Sequence, residues 1–202
     1  MTLYDIKPRF QKLLRPLTRM LYARGVTANQ VTACAAILSV VLGIVLMCFP
    51  VPYLYLSLPI FLFIRMALNA IDGMLAREFN QKSQLGAVLN ETGDIISDAA
   101  LYLAFAFLPG VNLWLVVAVI LLAWMTEFCG VLSQTLNGIR QYQGPLGKSD
   151  RALLFGTCGL CIAIFPQTMV YLNAVFILAG ALSLVTVLNR CRAALKEGSD
   201  SE

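Results

Sequence analysis

Asn69 and Asp72 stand three residues apart near the end of one apolar run, and Asn90, Asp94 and Asp98 recur at four-residue intervals near the start of the next. On helices these spacings place each set on one face. The short polar stretch between the runs, "EFNQKSQ", turns the chain and brings the two helix ends together. Amide and carboxylate oxygens converging from two helices are hard ligands, suited to Mg²⁺ or Mn²⁺. Glu91 adjoins Asn90, and Arg65 lies one turn before Asn69. Charged groups inside apolar runs are costly and mark function by default. A polar cap at the water interface accounts for Glu78 and Glu91, but hardly for Asp94 and Asp98 together.

The elements that must carry these residues follow from composition. The chain has 202 residues, 59% hydrophobic and 13% charged, with mean hydropathy +0.77. Soluble domains average about 45–50% apolar and about 25% charged residues, so an all-α polytopic membrane protein is expected. No linker or low-complexity tract divides the chain, and a single domain over 1–202 is expected. The N-terminus has no short apolar core with a cleavage site and does not read as a signal peptide. The pair Cys158 and Cys161 has C-x-x-C spacing in an apolar run without any His in the chain, which favours small hydrophobes over metal or redox chemistry.

Six runs are long enough to span a bilayer, near 28–49, 53–77, 85–108, 112–136, 149–166 and 168–189, followed by a tail over 190–202. Lys and Arg cluster before the first run, between the second and third, between the fourth and fifth, and after the sixth. The connections near Pro50, Pro109 and Pro166 carry none. The positive-inside rule then puts both termini in the cytoplasm. Phe10, Leu13, Leu14, Leu17 and Leu21 recur at helical spacing among Lys12, Arg15 and Arg19. They predict an amphipathic helix over about 5–24 lying on anionic lipid, bent or interrupted at Pro16; a purely topological basic signal is the alternative.

The spacing "DGMLAR", eight residues, Gly86, three, Asn90, three, Asp94 resembles the signature of the CDP-alcohol phosphotransferase family, D-x2-D-G-x2-A-R-x8-G-x3-D-x3-D. It aligns without a gap: Asp72, Gly73, Ala76, Arg77, Gly86 and Asp94 match, while Asn69 and Asn90 stand where the family has its first and third aspartates. "TANQVT" is similar to the family's entry to its first span, and the likeness extends to small bacterial inner-membrane members. The resemblance implies transfer of a substituted phosphate from a CDP-linked donor, often CDP-diacylglycerol, to an alcohol with release of CMP, in phospholipid synthesis. It implies one or two Mg²⁺ or Mn²⁺ ions, with Asn69, Asp72, Asn90 and Asp94 at the metal positions and Asp94 as the base that takes the hydroxyl proton. Gly73 and Ala76 would let the nucleotide approach the helix backbone, or else pack helices; Arg77 would meet phosphate, or else snorkel to the interface. Gly86 completes the substrate-binding set.

Two Asn in place of two Asp remove two negative charges from a site that in the family holds four carboxylates. Arg65 could compensate for a weakened or missing metal, or could simply pair with Asp98 or Glu127; Glu91 and Asp98 are possible replacement ligands. The signature does not assign Glu127, which could pair with Arg65. Arg140, Lys148 and Arg151, in "NGIRQYQGPLGKSDR", are either holders of an acceptor's phosphate or topology signals. The leading expectation is therefore an enzyme acting among membrane lipids, as a homodimer like its relatives and with no nucleic-acid partner. The alternatives are a weakened relative that binds CDP-lipid or partner proteins without turnover, and an ion or proton carrier, against which the ungapped motif argues.

Overall fold

A computed structural model describes residues 3–199, with side chains described from 10 to 196. The last expected tail residues, 200–202, and the side chains of Lys7 and Arg9 lie outside the described residues. Seven α-helices follow in order: α1 Leu3–Ala23, α2 Ala28–Cys48, α3 Ser57–Glu78, α4 Gln84–Leu103, α5 Leu113–Asn137, α6 Lys148–Ile164 and α7 Leu172–Ser199. Short 3₁₀ stretches at Pro52–Leu56, Ala104–Phe107 and Pro166–Tyr171 punctuate them, and no strand occurs among the described residues.

This corrects the expectation of six spans plus an amphipathic interfacial helix. Four helical stretches are long and apolar enough to cross a membrane: Ala28–Cys48, Pro52–Glu78, Leu113–Asn137 and Pro166–Lys196. The physical reasons are local. Helix α6 has 17 residues, short of the roughly 20 that a span needs. Helix α4 has 20 residues, but Glu91, Asp94 and Asp98 fall along its middle and leave no apolar stretch of spanning length. Helix α1 is part of a packed core. Its Leu14 and Leu21 lie against Ala28, Val31, Ile71, Met74 and Leu75. It also continues through Pro16 without interruption.

The chain divides into two compact units. The first comprises Met1–Leu42 and Ile60–Ala100. Here α1 turns into α2 through Gly25, whose φ of +78° favours glycine. Arg15 donates from Nε and Nη2 to the two carboxylate oxygens of Glu78, at 3.1 and 2.8 Å. That hydrogen bond holds the Arg15 guanidinium above its ordinary pKa. The Ala28 N–H, an orphan donor at the start of α2, is taken by Gln81 Oε1 at 2.7 Å. The polar turn between α3 and α4 is thereby fastened to α2.

The second unit comprises Gly43–Pro59 and Leu101–Glu202. Asn112 starts α5 by accepting from the Trp114 N–H, and Gly138, at φ +73°, ends it. Helices α5 and α7 pack along each other. Tyr55, Tyr102, Phe105, Phe155 and Phe176 form a buried aromatic core, with Tyr102 and Phe155 stacked 3.7 Å apart. The Tyr55 hydroxyl, taken into this core, donates to the Ala104 carbonyl at 2.7 Å.

Candidate active site

In the first unit, α3 and α4 bring Arg65, Asn69, Asp94 and Asp98 into one hydrogen-bonded group. Arg65 is 4% exposed and Asp98 5%, so neither charge is hydrated. Arg65 Nη1 donates to Asp98 Oδ1 at 2.5 Å. Its Nη2 donates to Asp94 Oδ1 at 3.1 Å and to the Asp94 carbonyl at 3.2 Å. Asn69 Nδ2 donates to the same Asp94 Oδ1 at 3.2 Å. Of the two partners considered for Arg65, Asp98 is the one found, and Asp94 joins it. The four-residue spacing of Asp94 and Asp98 is what lets one guanidinium serve both.

Asp72, on α3 and buried, is gripped from α2: Thr32 Oγ1 donates to its Oδ2 at 2.8 Å. Sequence reasoning did not single out Thr32, although it is the last residue of "TANQVT". Arg77 is exposed, and its guanidinium folds back over Gly73, one turn earlier on the same helix, so that a Cβ on Gly73 would lie 2.8 Å from Nη2. Gly86 stands against the Asn29 side chain, whose Oδ1 would be 2.6 Å from an added Cβ. A larger residue there would displace the Asn29 contact with Ser83. Ala76, Asn90 and Glu91 are half-buried on the same two helices.

In the second unit Glu127, on α5, is the centre of an arginine cluster. Arg151 Nη2 donates to Glu127 Oε1 at 2.8 Å, and Arg140 Nη2 donates to Oε2 at 3.3 Å. Arg190 Nη1 lies 3.8 Å from Oε1. Glu127 therefore pairs with these three rather than with Arg65. Arg151 also donates to Thr126 Oγ1 and the Leu146 carbonyl, while Arg190 donates to the Thr126 and Gln143 carbonyls. The loop carrying Arg140 lies close over α5 because position 130 is glycine: a Cβ there would sit 2.8 Å from the Gln141 carbonyl. Gly144 is fixed likewise, by φ +134° and by Thr186 against it. Lys148 is half-buried at the first position of α6, whose N-terminus is capped when the Gly147 N–H donates to Asp150 Oδ2 at 2.9 Å. Sequence reading treated Arg190 only as a charge that sets topology.

Comparison with known proteins decides the family. The model of the CDP-alcohol phosphatidyltransferase family matches residues 25–188, a stretch that contains the first cluster whole and the second except for Arg190. The chain belongs to this family. It is 58% identical over 195 residues to the Escherichia coli (strain K12) inner membrane protein YnbA, covering 96% of this chain and 97% of that protein. It is 28% identical over 198 residues to phosphatidylinositol phosphate synthase of Mycolicibacterium smegmatis, covering 91% of this chain and 84% of that protein. The fold of this CDP-alcohol phosphatidyltransferase family member is similar to that of Mycobacterium tuberculosis phosphatidylinositol phosphate synthase (PgsA1). With CDP-DAG bound, that protein gives a TM-score of 0.75 at 19% identity, over 91% of this chain and 94% of that one. In its complex with manganese and citrate the TM-score is 0.73 at 19% identity, over 89% and 88% of the two chains.

Among the described residues no three Asp, Glu or Cys side chains stand close enough together to hold a metal ion, and the chain has no His. The four positions at which the family signature implies metal ligands would offer a mixed set, the carboxylates of Asp72 and Asp94 with the amide groups of Asn69 and Asn90. Asn69 Nδ2 donates to Asp94 Oδ1, so the side-chain atom that could serve a cation is its carbonyl oxygen. Amide and carboxylate oxygens together fit a hard divalent ion with a shell of low negative charge.

Proposed function

We propose that this chain is an inner-membrane transferase of phospholipid synthesis, moving a phosphatidyl group from CDP-diacylglycerol to an alcohol and releasing CMP. The family assignment supports the reaction class. The observation that carries the reading is the polar group joining α3 and α4, in which Asp94 is held by Arg65 and Asn69 beside the signature residues. Asp94 takes the acceptor's hydroxyl proton; the oxygen forms a bond to the phosphorus bearing the diacylglycerol; the bridging bond of the pyrophosphate breaks, and CMP leaves with its electron pair. Mg²⁺ or Mn²⁺, with Asn69, Asp72, Asn90 and Asp94 as ligands, would neutralise the pyrophosphate oxygens. Gly73, Ala76, Arg77 and Gly86 line the nucleotide side.

Arg140, Lys148 and Arg151 receive a phosphate on the acceptor. Arg140 and Arg151 are brought together on Glu127, and guanidiniums are suited to bidentate recognition of phosphate. Both termini are cytoplasmic, and the working unit is a homodimer. A second reading, a member that binds CDP-lipid without turnover, draws on one observation: Asp94 and Asp98 are already engaged by Arg65. Purified protein given CDP-diacylglycerol, Mg²⁺ or Mn²⁺, and a panel of alcohols with and without a phosphate separates the two. CMP release is expected, fastest with phosphorylated alcohols. Binding of CDP-diacylglycerol with no CMP from any acceptor would establish the second reading instead.

A further inference from the structure

We propose that Cys129 and Cys191 form a redox-modification site, in which a hydroperoxide closes the two thiols into a disulfide that ties α7 to α5. The site lies apart from the transferase reading and needs none of its substrates.

The two sulfurs are already in contact. Cys129 is on α5 and Cys191 on α7, and the Cys191 thiol donates to the Cys129 sulfur at 3.4 Å. A disulfide has its sulfurs about 2 Å apart, so the pair needs an approach of about 1.4 Å. Two hydrogen bonds between the same helices hold the sulfurs in register. Arg190, next to Cys191, donates from Nη1 to the Thr126 carbonyl, one turn before Cys129. Beyond the pair, Asn137 Nδ2 donates to the Ala194 carbonyl at 2.6 Å. Gly130, next to Cys129, gives Arg190 room to cross, since a Cβ there would sit 3.3 Å from Nη1. Thiols held in this way meet without a search through the chain's conformations, and react as one unit.

Burial sets the order of steps. Cys191 is half-buried, whereas Cys129 is only 5% exposed, so the oxidant meets Cys191 first. The Cys191 sulfur attacks one oxygen of the hydroperoxide and the O–O bond breaks. The other oxygen leaves with the Cys191 proton, as an alcohol or, from hydrogen peroxide, as water. Cys191 is then a sulfenic acid. The Cys129 sulfur attacks the Cys191 sulfur, the S–O bond breaks, and water leaves with the Cys129 proton. Two thiols are oxidised to one disulfide, and one hydroperoxide is reduced. A thiol reductant reverses the bond by exchange. The covalent tie restrains the last turns of α7, which would otherwise open locally. Arg190 is part of that segment and stands 3.8 Å from Glu127, so the tie bears directly on the arginine cluster.

The test treats the purified full chain in detergent with hydrogen peroxide and, separately, with cumene hydroperoxide. Thiols are then counted and peptides mapped by mass spectrometry. With at least one oxidant, wild type should lose two of its six thiols, yield peptides joined through Cys129 and Cys191, and regain both thiols in dithiothreitol. Cys129→Ser should instead leave Cys191 as a sulfenic acid that dimedone labels, and Cys191→Ser should keep the Cys129 thiol intact. Amide exchange over residues 188–196 should slow in oxidised wild type and in neither variant. A wild type that keeps all six thiols overturns the proposal, as do disulfides that run through the exposed Cys34 or Cys48 instead. Sulfenic acid on Cys129 with Cys191 intact refutes the order of steps. A bond between Cys129 and Cys191 with unchanged amide exchange refutes the tie.

Discussion

Replacing Glu127 by Gln tests whether the arginine cluster is a structural keystone of the second unit. Removing one partner of a buried ion pair costs about 3–5 kcal/mol, because the remaining charge is left uncompensated. Arg151 is fully buried and Arg190 is 2% exposed, so both guanidiniums fall within that class. Two features pull the cost toward the lower end. Arg151 keeps Thr126 Oγ1 and the Leu146 carbonyl, Arg190 keeps two carbonyls, and the Gln carbonyl can still accept one bond. A loss of about 3 kcal/mol is therefore expected, with Tm falling by roughly 6–12 °C for a chain of this size. Arg140 is the control. Its side chain is 20% exposed and sits 3.3 Å from Glu127, so Arg140→Ala should cost about 1 kcal/mol or less. Thermal unfolding in detergent, followed by tryptophan fluorescence, measures both. Adding Arg151→Met to Glu127→Gln should recover part of the loss, since the orphaned charge goes with it. The reasoning fails if Glu127→Gln is no more damaging than Arg140→Ala, or if the double substitution is simply additive.

Asp94→Asn should lower CMP release by about 10²–10⁴-fold while CDP-diacylglycerol still binds, because a base is lost and nucleotide contacts are not; near-normal turnover would remove Asp94 from that role. Asp72→Asn should instead weaken Mn²⁺-dependent binding of CDP-diacylglycerol, and equal binding with and without Mn²⁺ in wild type would defeat it. A reporter fused at Gly198 should be active only in its cytoplasmic form, as expected from Arg190, Arg192 and Lys196 beside it; periplasmic activity would reverse the orientation.

What the sequence makes legible here is whatever depends on spacing within one element. The signature residues, the shared faces of Asn69 with Asp72 and of Asp94 with Asp98, and the turn that joins their helices are all of that kind. Partners across helices are not. Nothing in the local pattern distinguishes Asp98 from Glu127 as the partner of Arg65, because both are acids in apolar runs. The choice is made by packing: Asp98 is on α4 in the same compact unit as Arg65, whereas Glu127 is on α5 in the other. Thr32 escaped notice for a related reason, since a threonine in an apolar helix commonly returns its hydroxyl to its own backbone. Its hydroxyl oxygen does lie 3.1 Å from the Ala28 carbonyl, and its one proton is drawn to the shorter contact with Asp72, at 2.8 Å. The count of spans failed where run length was read without regard to composition. The apolar flanks of Asp94 and Asp98 extend the run at 85–108, but three acids along α4 break it for the purpose of crossing. Pro16 is the converse case. The ring removes a donor and crowds the preceding turn, yet Thr18 Oγ1 donates to the Leu14 carbonyl at 3.0 Å close by, and the contacts of Leu14 and Leu21 keep α1 helical on both sides.

The two charged clusters are built on one physical plan with opposite sign. In the first unit Arg65 stands between two acids, Asp94 and Asp98; in the second Glu127 stands among arginines. A buried cluster of like charges with no counter-ion would repel itself and disfavour folding, while a fully paired one would have nothing left to offer a ligand. A single internal counter-ion takes the middle course. It lowers the charge enough for the chain to fold without a ligand, and it leaves a residue of the sign that the ligand must complement. Under the proposed function the acids of the first cluster would meet a cation and the arginines of the second an anion. A divalent ion carrying a nucleotide's pyrophosphate and a phosphate on the acceptor alcohol are ligands of those two kinds.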